Sequence, residues 1–276
     1  MTLVLKLRIA SAIVLIPLVL GSVYVGGLAF FVVLTVAMLM AGWEFFGMAQ
    51  HAGYRPMTWL GMVAIALFLL DGFAHTEPSL KTIFGTESWL QPVVAWMLVG
   101  TLAIGVFRHS DGWLVGWALT LAGALYIGWT GSYAILMRAL PSNGLEWTAL
   151  SLVAVWATDI GAFAVGTRFG RHGFFTKISP KKTWEGAIGG WVCAVLSVLI
   201  LGEFLSVPII HRILFGFGLA IAATLGDLAE SLLKRQTGVK DSGNIVPGHG
   251  GLLDRVDSLL FGAVFAYYYL VWILRV

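Results

Sequence analysis

Long runs of apolar residues, broken by short polar or glycine-rich joints, make up most of this chain. A helix needs roughly 20 mostly apolar residues to cross the hydrocarbon core of a bilayer. Nine stretches approach that length: residues 9–24, 28–48, 57–70, 90–106, 113–137, 147–165, 187–205, 209–228 and 252–274. The fifth is long enough to be kinked or split, because Gly123, Gly128 and Gly131 interrupt it. No internal repeat, low-complexity tract or soluble domain is visible between them. Only 71–89, 166–186 and 234–251 form longer connections. The pattern predicts an all-α, polytopic integral membrane protein with about nine transmembrane helices. It divides into N-terminal transmembrane helices, 1–140, and a C-terminal transmembrane region, 141–276, carrying the loops 166–186 and 234–251.

Composition supports lipid as the solvent. The 276 residues are 59% hydrophobic and 11% charged, with mean hydropathy +0.89. An ordinary soluble domain is about 25% charged. The net charge of +3 comes from loop lysines and arginines, which in such a chain report topology and give no nucleic-acid footprint. With the N-terminus cytoplasmic and nine alternating spans, 13 of the 17 cations fall on the cytoplasmic side and 4 on the other. That bias predicts both the orientation and the odd span count. Lys6 and Arg8 precede the first apolar run, as in a signal peptide, but the run is long and more spans follow, so an uncleaved first helix is expected. The single cysteine, Cys193, excludes a disulfide framework and a cysteine-based zinc site.

The 14 acids are unevenly spread. Glu77, Glu87, Asp111, Glu146 and Glu203 fall in or near loops. Glu44 and Asp71 lie near span ends, where they are expected to reach the headgroup region. Asp159, Asp227, Glu230, Asp254 and Asp257 lie in the last four spans or at their mouths. A charge at the bilayer centre costs at least about 2.5–3.5 kcal/mol, so intramembrane acids usually face a bundle interior or wet cavity and mark function. Asp227, Glu230, Ser231 and Lys234 follow i, i+3, i+4, i+7 spacing and share a helical face. Asp254 and Asp257 repeat the i, i+3 spacing on the next helix. Hard carboxylate oxygens suit Mg²⁺, usually held by one or two carboxylates plus substrate phosphates. The plainer alternatives are helix-to-helix polar contact for Asp159 and pairs such as Asp227 with Lys234 or Asp254 with Arg255.

Two basic, glycine-rich loops flank these acids. The first supplies Lys177, Ser179, Lys181, Lys182 and Thr183; the second runs from Lys234 through Pro247-Gly248-His249-Gly250-Gly251 to Asp257. Ammonium and hydroxyl donors, with glycines that let backbone N–H groups approach, suit phosphate oxygens. Acids and cations together point to metal-assisted phosphoryl or nucleotidyl transfer, with a cytosolic nucleotide and a lipid entering from the inner leaflet.

The ordered set Ser231, Lys234-Arg235, Lys240-Asp241, Gly243, Val246, His249-Gly250-Gly251, Asp254-Arg255 and Asp257 resembles the signature of the phosphatidate cytidylyltransferases, or CDP-diacylglycerol synthases. Val246 stands where a larger aliphatic residue or Phe is usual. Gly226-Asp227-Leu228 with Glu230-Ser231, the segment 159–163 and the segment 178–186 are also similar to the family. The resemblance implies that CTP and phosphatidic acid give CDP-diacylglycerol and pyrophosphate, with Mg²⁺ required and a second cation such as K⁺ compatible with the site. It implies Asp227 and Asp254 as metal-holding acids, with Asp159, Glu230 and Asp257 in lesser metal or water-shell roles. Lys181, Lys182, Lys234, Arg235 and Lys240 would hold phosphates. Ser231, Asp241 and Arg255 fall in the same substrate-binding set. His249 would donate to a phosphate or structure its loop, and Ser179 and Thr183 would bind phosphate or cap the next helix. The bilayer is the setting, a homodimer is compatible with the resemblance, and the compact chain suggests a bacterial inner membrane with the site facing the cytoplasm. Two other classes compete. The Asp-Gly-x-x-Ala-Arg motif of CDP-alcohol phosphotransferases is absent, and a transporter would place its acids near the midplane between repeats.

Overall fold

The computed structural model describes residues 3–85, 87–107, 111–246, 248 and 250–276. Among these, regular structure is helical, with two isolated antiparallel bridges, Gly173 to Thr183 and Val246 to Gly250. The helices are α1 (Leu3–Val25), α2 (Gly27–His51), α3 (Thr58–Ala74), α4 (Pro78–Phe84), α5 (Leu90–Phe107), α6 (Trp113–Gly123), α7 (Thr130–Arg138), α8 (Gly144–Phe169), α9 (Trp184–Leu201), α10 (Ile209–Gln236) and α11 (Leu253–Tyr268). Among the described residues seven helical stretches are long and apolar enough to cross a membrane: Gly27–His51, Leu90–Phe107, Trp113–Arg138, Gly144–Phe169, Trp184–Leu205, Ile209–Gln236 and Leu253–Leu274. Ala10–Val25 and Thr58–Ala74 are apolar but shorter. The nine predicted stretches are thus all helical, and among the described residues seven meet full spanning length.

The fifth stretch stays continuous. A π-helical turn, Ala124–Trp129, joins α6 to α7, and such turns are a known source of local bending in long helices. Gly128 lies in this turn because a side chain there would sit 2.7 Å from the backbone of Ile65 on α3.

The chain forms two compact units, Met1–Ala139 with Gln236–Asp254, and Leu140–Arg235 with Arg255–Val276. The second basic loop therefore folds with the N-terminal helices, although sequence order assigns it to the C-terminal region. The first unit is packed around Phe45, Phe46, Ile65, Phe68, Leu69, Ala124 and Ile127, all buried. Its helix ends are tied down by side chains. Arg138 Nε donates to Val23 O at 2.6 Å, satisfying a carbonyl in the last turn of α1. Asp71 Oδ1 accepts from Trp89 N at 2.6 Å, just before α5.

In the second unit, α8 and α9 pack through small residues, as is common between membrane helices that lack a hydrophobic driving force. A side chain at Gly190 would lie 2.6 Å from Thr158 O. Trp191 of α9 donates its indole N–H to Thr224 Oγ1 of α10 at 3.1 Å. Trp147 of α8 meets Phe215 of α10 edge to face at 5.2 Å. At Gly226, α10 comes so near α11 that a side chain would sit 2.5 Å from Asp257 O.

Candidate functional site

In the C-terminal unit the first basic loop is a clamped turn. Phe174 N donates to Lys182 O at 2.8 Å and Trp184 N to His172 O at 2.9 Å, pinching the two ends of the loop together. Phe174 is buried with Ala187 of α9 and Leu228 of α10, and Ile178 and Trp191 pack against them. This apolar plug fixes the loop on the helices. The side chain of Thr183 accepts from Gly186 N at 3.2 Å and caps α9. Glu185, in the first turn of α9, accepts from the backbone N–H groups of Arg171 and His172 and pairs with His172 Nδ1 at 2.5 Å. Ser179 lies inside the turn, half-buried, with its N–H donating to Phe175 O at 3.0 Å.

The plug delivers Lys182 to α10. Its Nζ lies 2.7 Å from Asp227 Oδ2, and Ser231, one helical turn on, donates to Asp227 Oδ1 at 3.3 Å. Lys182 and Asp227 keep 23% and 37% of their side-chain surface exposed, so this pair remains open to a ligand. Asp227 is also electrostatically coupled to Asp159 of α8 and Asp257 of α11, with Lys182, Lys234 and Arg255 offsetting the accumulated negative charge. Asp257 is buried and accepts from Ser258 N at 2.6 Å.

Lys234 pairs with Glu230 one turn back along α10, so of the plainer alternatives the ion pair on this helix joins Lys234 to Glu230, while Asp227 pairs with Lys182. Glu230 is fully buried. Arg235 reaches the first loop, with Nε donating to Ile178 O at 3.2 Å. Lys181 and Arg255 are exposed.

In the N-terminal unit the second basic loop is organised around Asp254. Its Oδ2 accepts from Ser242 N at 3.1 Å, Ser242 Oγ at 3.0 Å and Gly251 N at 3.0 Å. A carboxylate that accepts several N–H and O–H bonds is held in one orientation. Lys240 and Asp241 are exposed at the start of this loop. His249 lies outside the described residues.

Two acids depart from the sequence expectation. Glu44 and Asp71 do not reach outward to the headgroups; both are buried and accept hydrogen bonds from the chain itself. Glu44 is absent from the signature residues and lies in the second apolar run, on α2. An acid inside a spanning helix is the signal that could have found it.

A sequence model described as the Cytidylyltransferase family matches residues 6–273. The chain belongs to the cytidylyltransferase family. It is 36% identical to a phosphatidate cytidylyltransferase of Bacillus subtilis (strain 168) over 267 residues, covering 96% of this chain and 97% of the relative. It is 33% identical to a phosphatidate cytidylyltransferase of Synechocystis sp. over 298 residues, covering 98% and 97%. A third relative of the same name, from Mycobacterium bovis, is 44% identical over 133 residues, 48% of this chain and 43% of that one. The pair formed by Lys182 of the first loop and Asp227 of α10 is the partly exposed lysine–carboxylate pair of this unit.

Proposed function

We propose that this cytidylyltransferase transfers CMP from CTP to phosphatidic acid, forming CDP-diacylglycerol and pyrophosphate. The observation that carries the proposal is the end-to-end likeness to two proteins named phosphatidate cytidylyltransferase, in a chain with seven membrane-length helices. In this reading a phosphate oxygen of the lipid attacks the α-phosphorus of CTP. One P–O bond forms, the α–β bridging bond breaks, and its electron pair leaves with pyrophosphate. The nucleophile is already an anion, so no covalent enzyme intermediate and no strong general base are needed. Lys182 can pass from Asp227 to a phosphate oxygen, since the pair is open to solvent. Lys181, Arg235 and Arg255, exposed on the first loop and at helix ends of the same unit as Lys182, supply further positive charge for the leaving group.

Among the described residues no three acidic, histidine or cysteine side chains gather to hold a metal by themselves. Mg²⁺ does not need them, because one or two carboxylates and the substrate phosphates suffice. The family signature marks Asp227 and Asp254 as the acids that would hold it, with Asp159, Glu230 and Asp257 in lesser metal or water-shell roles. When bound, Mg²⁺ would neutralise phosphate charge and orient the in-line displacement. The excess of loop cations on one predicted side supports a cytoplasmic site in a bacterial inner membrane, where CTP is available.

The test uses purified protein in mixed micelles with radiolabelled CTP, phosphatidic acid and Mg²⁺. CDP-diacylglycerol and pyrophosphate should appear in equal amounts, and none should form without the lipid or with EDTA. A folded sample that makes no CDP-diacylglycerol would refute the proposal.

A further inference from the structure

Glu44 lies on α2, far from the signature residues in sequence and seven residues before the helix ends at His51. Its side chain is buried, with 5% of the residue exposed. Burying a carboxylate is costly unless hydrogen bonds replace its water. The replacements come from the second basic loop. Leu253 N donates to Glu44 Oε2 at 2.8 Å, and Ser242 Oγ lies 3.2 Å from the same oxygen. The Ser242 hydroxyl also stands 3.0 Å from Asp254 Oδ2, so one hydroxyl links the two carboxylates.

The loop is shaped around this carboxylate. A side chain at Gly243 would sit 2.4 Å from Glu44 Oε1, and one at Gly251 would sit 2.7 Å from Glu44 Oε2 and 1.9 Å from Ser242 Oγ. Both contacts are closer than real side chains allow, so the two glycines of the signature leave room for the acid of α2. Glu44 Oε1 itself is buried with no hydrogen-bond partner. The bonds to the loop thus all converge on Oε2.

We infer that Glu44 is a positioning residue: by accepting from Leu253 and sharing the single Ser242 hydroxyl proton with Asp254 it locks the signature loop so that Asp254 is held in one orientation for CMP transfer. The inference rests on the proposed reaction for its catalytic consequence, and on this unit's own contacts for the locking. Glu44 acts through Ser242 and Asp254.

The experiment compares Glu44→Ala, Glu44→Gln and Ser242→Ala with the wild type in the full chain, by hydrogen exchange and by turnover. Glu44→Ala should speed exchange at Ser242, Gly251 and Leu253 at least about tenfold, because it removes the acceptor that closes the loop. It should lower kcat at least about tenfold while the KM for CTP changes less than about threefold. Glu44→Gln keeps an acceptor at the Oε2 position and should restore both readouts to within about threefold of wild type. If Glu44→Ala does not fold, Ser242→Ala carries the test, with faster exchange at Gly251 and slower turnover expected. Wild-type exchange and turnover in Glu44→Ala or in Ser242→Ala would overturn the inference, as would a Glu44→Gln variant as impaired as Glu44→Ala. A wild-type protein without CMP-transfer activity would instead overturn the reaction on which it rests.

Discussion

The two lysine–acid pairs of the C-terminal unit differ in burial, so replacing each lysine by methionine should have opposite consequences. Lys182 and Asp227 are 2.7 Å apart with 23% and 37% of their side chains exposed. In water that separation is worth about 1.5 kcal/mol before screening and side-chain entropy, and exposed pairs net at most about 1 kcal/mol. Lys182→Met should therefore lower the melting temperature by no more than about 4 °C. Its effect on the proposed CMP transfer should be larger, at least about a hundredfold in kcat, because the cation proposed to bind phosphate is lost. Glu230 and Lys234 keep only 1% and 13% of their side chains exposed. Removing one partner of a buried pair costs about 3–5 kcal/mol, because the remaining charge stays buried. Lys234→Met should lower the melting temperature by on the order of 10 °C. The Glu230→Gln/Lys234→Met double variant, which removes both charges of the pair, should recover more than half of that loss. Tryptophan fluorescence during heating in detergent reads stability, and labelled-CTP turnover at low temperature reads activity. If Lys182→Met melts as low as Lys234→Met, or the double variant is no more stable than Lys234→Met, the argument from burial is wrong.

Three further outcomes are expected. Asp227→Asn and Asp254→Asn should each lose at least about 3 kcal/mol of transition-state stabilisation, roughly a hundredfold in kcat/KM, measured against Mg²⁺ concentration. Near-normal turnover in either variant would remove that residue from the metal-holding pair. Phe174→Ala withdraws the plug beneath the first loop and should cost about 3 kcal/mol, seen as faster hydrogen exchange at Phe174 and Trp184. A single cysteine at position 177, in a Cys193→Ser background, should resist an impermeant thiol reagent in intact cells and react in inverted vesicles; labelling in intact cells would reverse the assigned orientation.

Much of the fold was legible because lipid imposes one simple demand: backbone groups must be satisfied inside each spanning segment. That demand made the nine apolar stretches helical, and even the glycines of the fifth did not split it. Hydropathy could not supply the length of the third helix, Thr58–Ala74, which falls short of the seven spanning stretches. The facing side chains of α10 were also readable, since i, i+4 spacing brings Ser231 to Asp227 and Lys234 to Glu230. The spacing did not decide which acid would claim Lys234. Burial did, because Glu230 is enclosed and needs its counter-charge more than the half-exposed Asp227. The partner of Asp227 is Lys182, 45 positions earlier, brought there by the packing of Phe174, and local periodicity carries no information about such a contact.

The two basic loops looked alike as sequences, both rich in glycine and cations, yet they are held by different forces. The first is fastened by apolar burial: Phe174 sits among Ala187, Leu228, Ile178 and Trp191, and its backbone pairing follows from that anchor. The second is fastened by hydrogen bonds to carboxylates, with Glu44 and Asp254 accepting from Ser242, Gly251 and Leu253. Apolar anchoring tolerates a change of shape if volume is kept, so Phe174→Leu should leave the first loop largely intact. A buried acceptor tolerates no such change, because losing it strands N–H and O–H donors away from water. Glu44→Leu should accordingly loosen the second loop even though leucine suits the surrounding helices. The sequence pattern exposed the loops' charges, whereas what holds each one depends on which residue from a distant helix faces it, and a glutamate in an apolar run was the one mark of that difference.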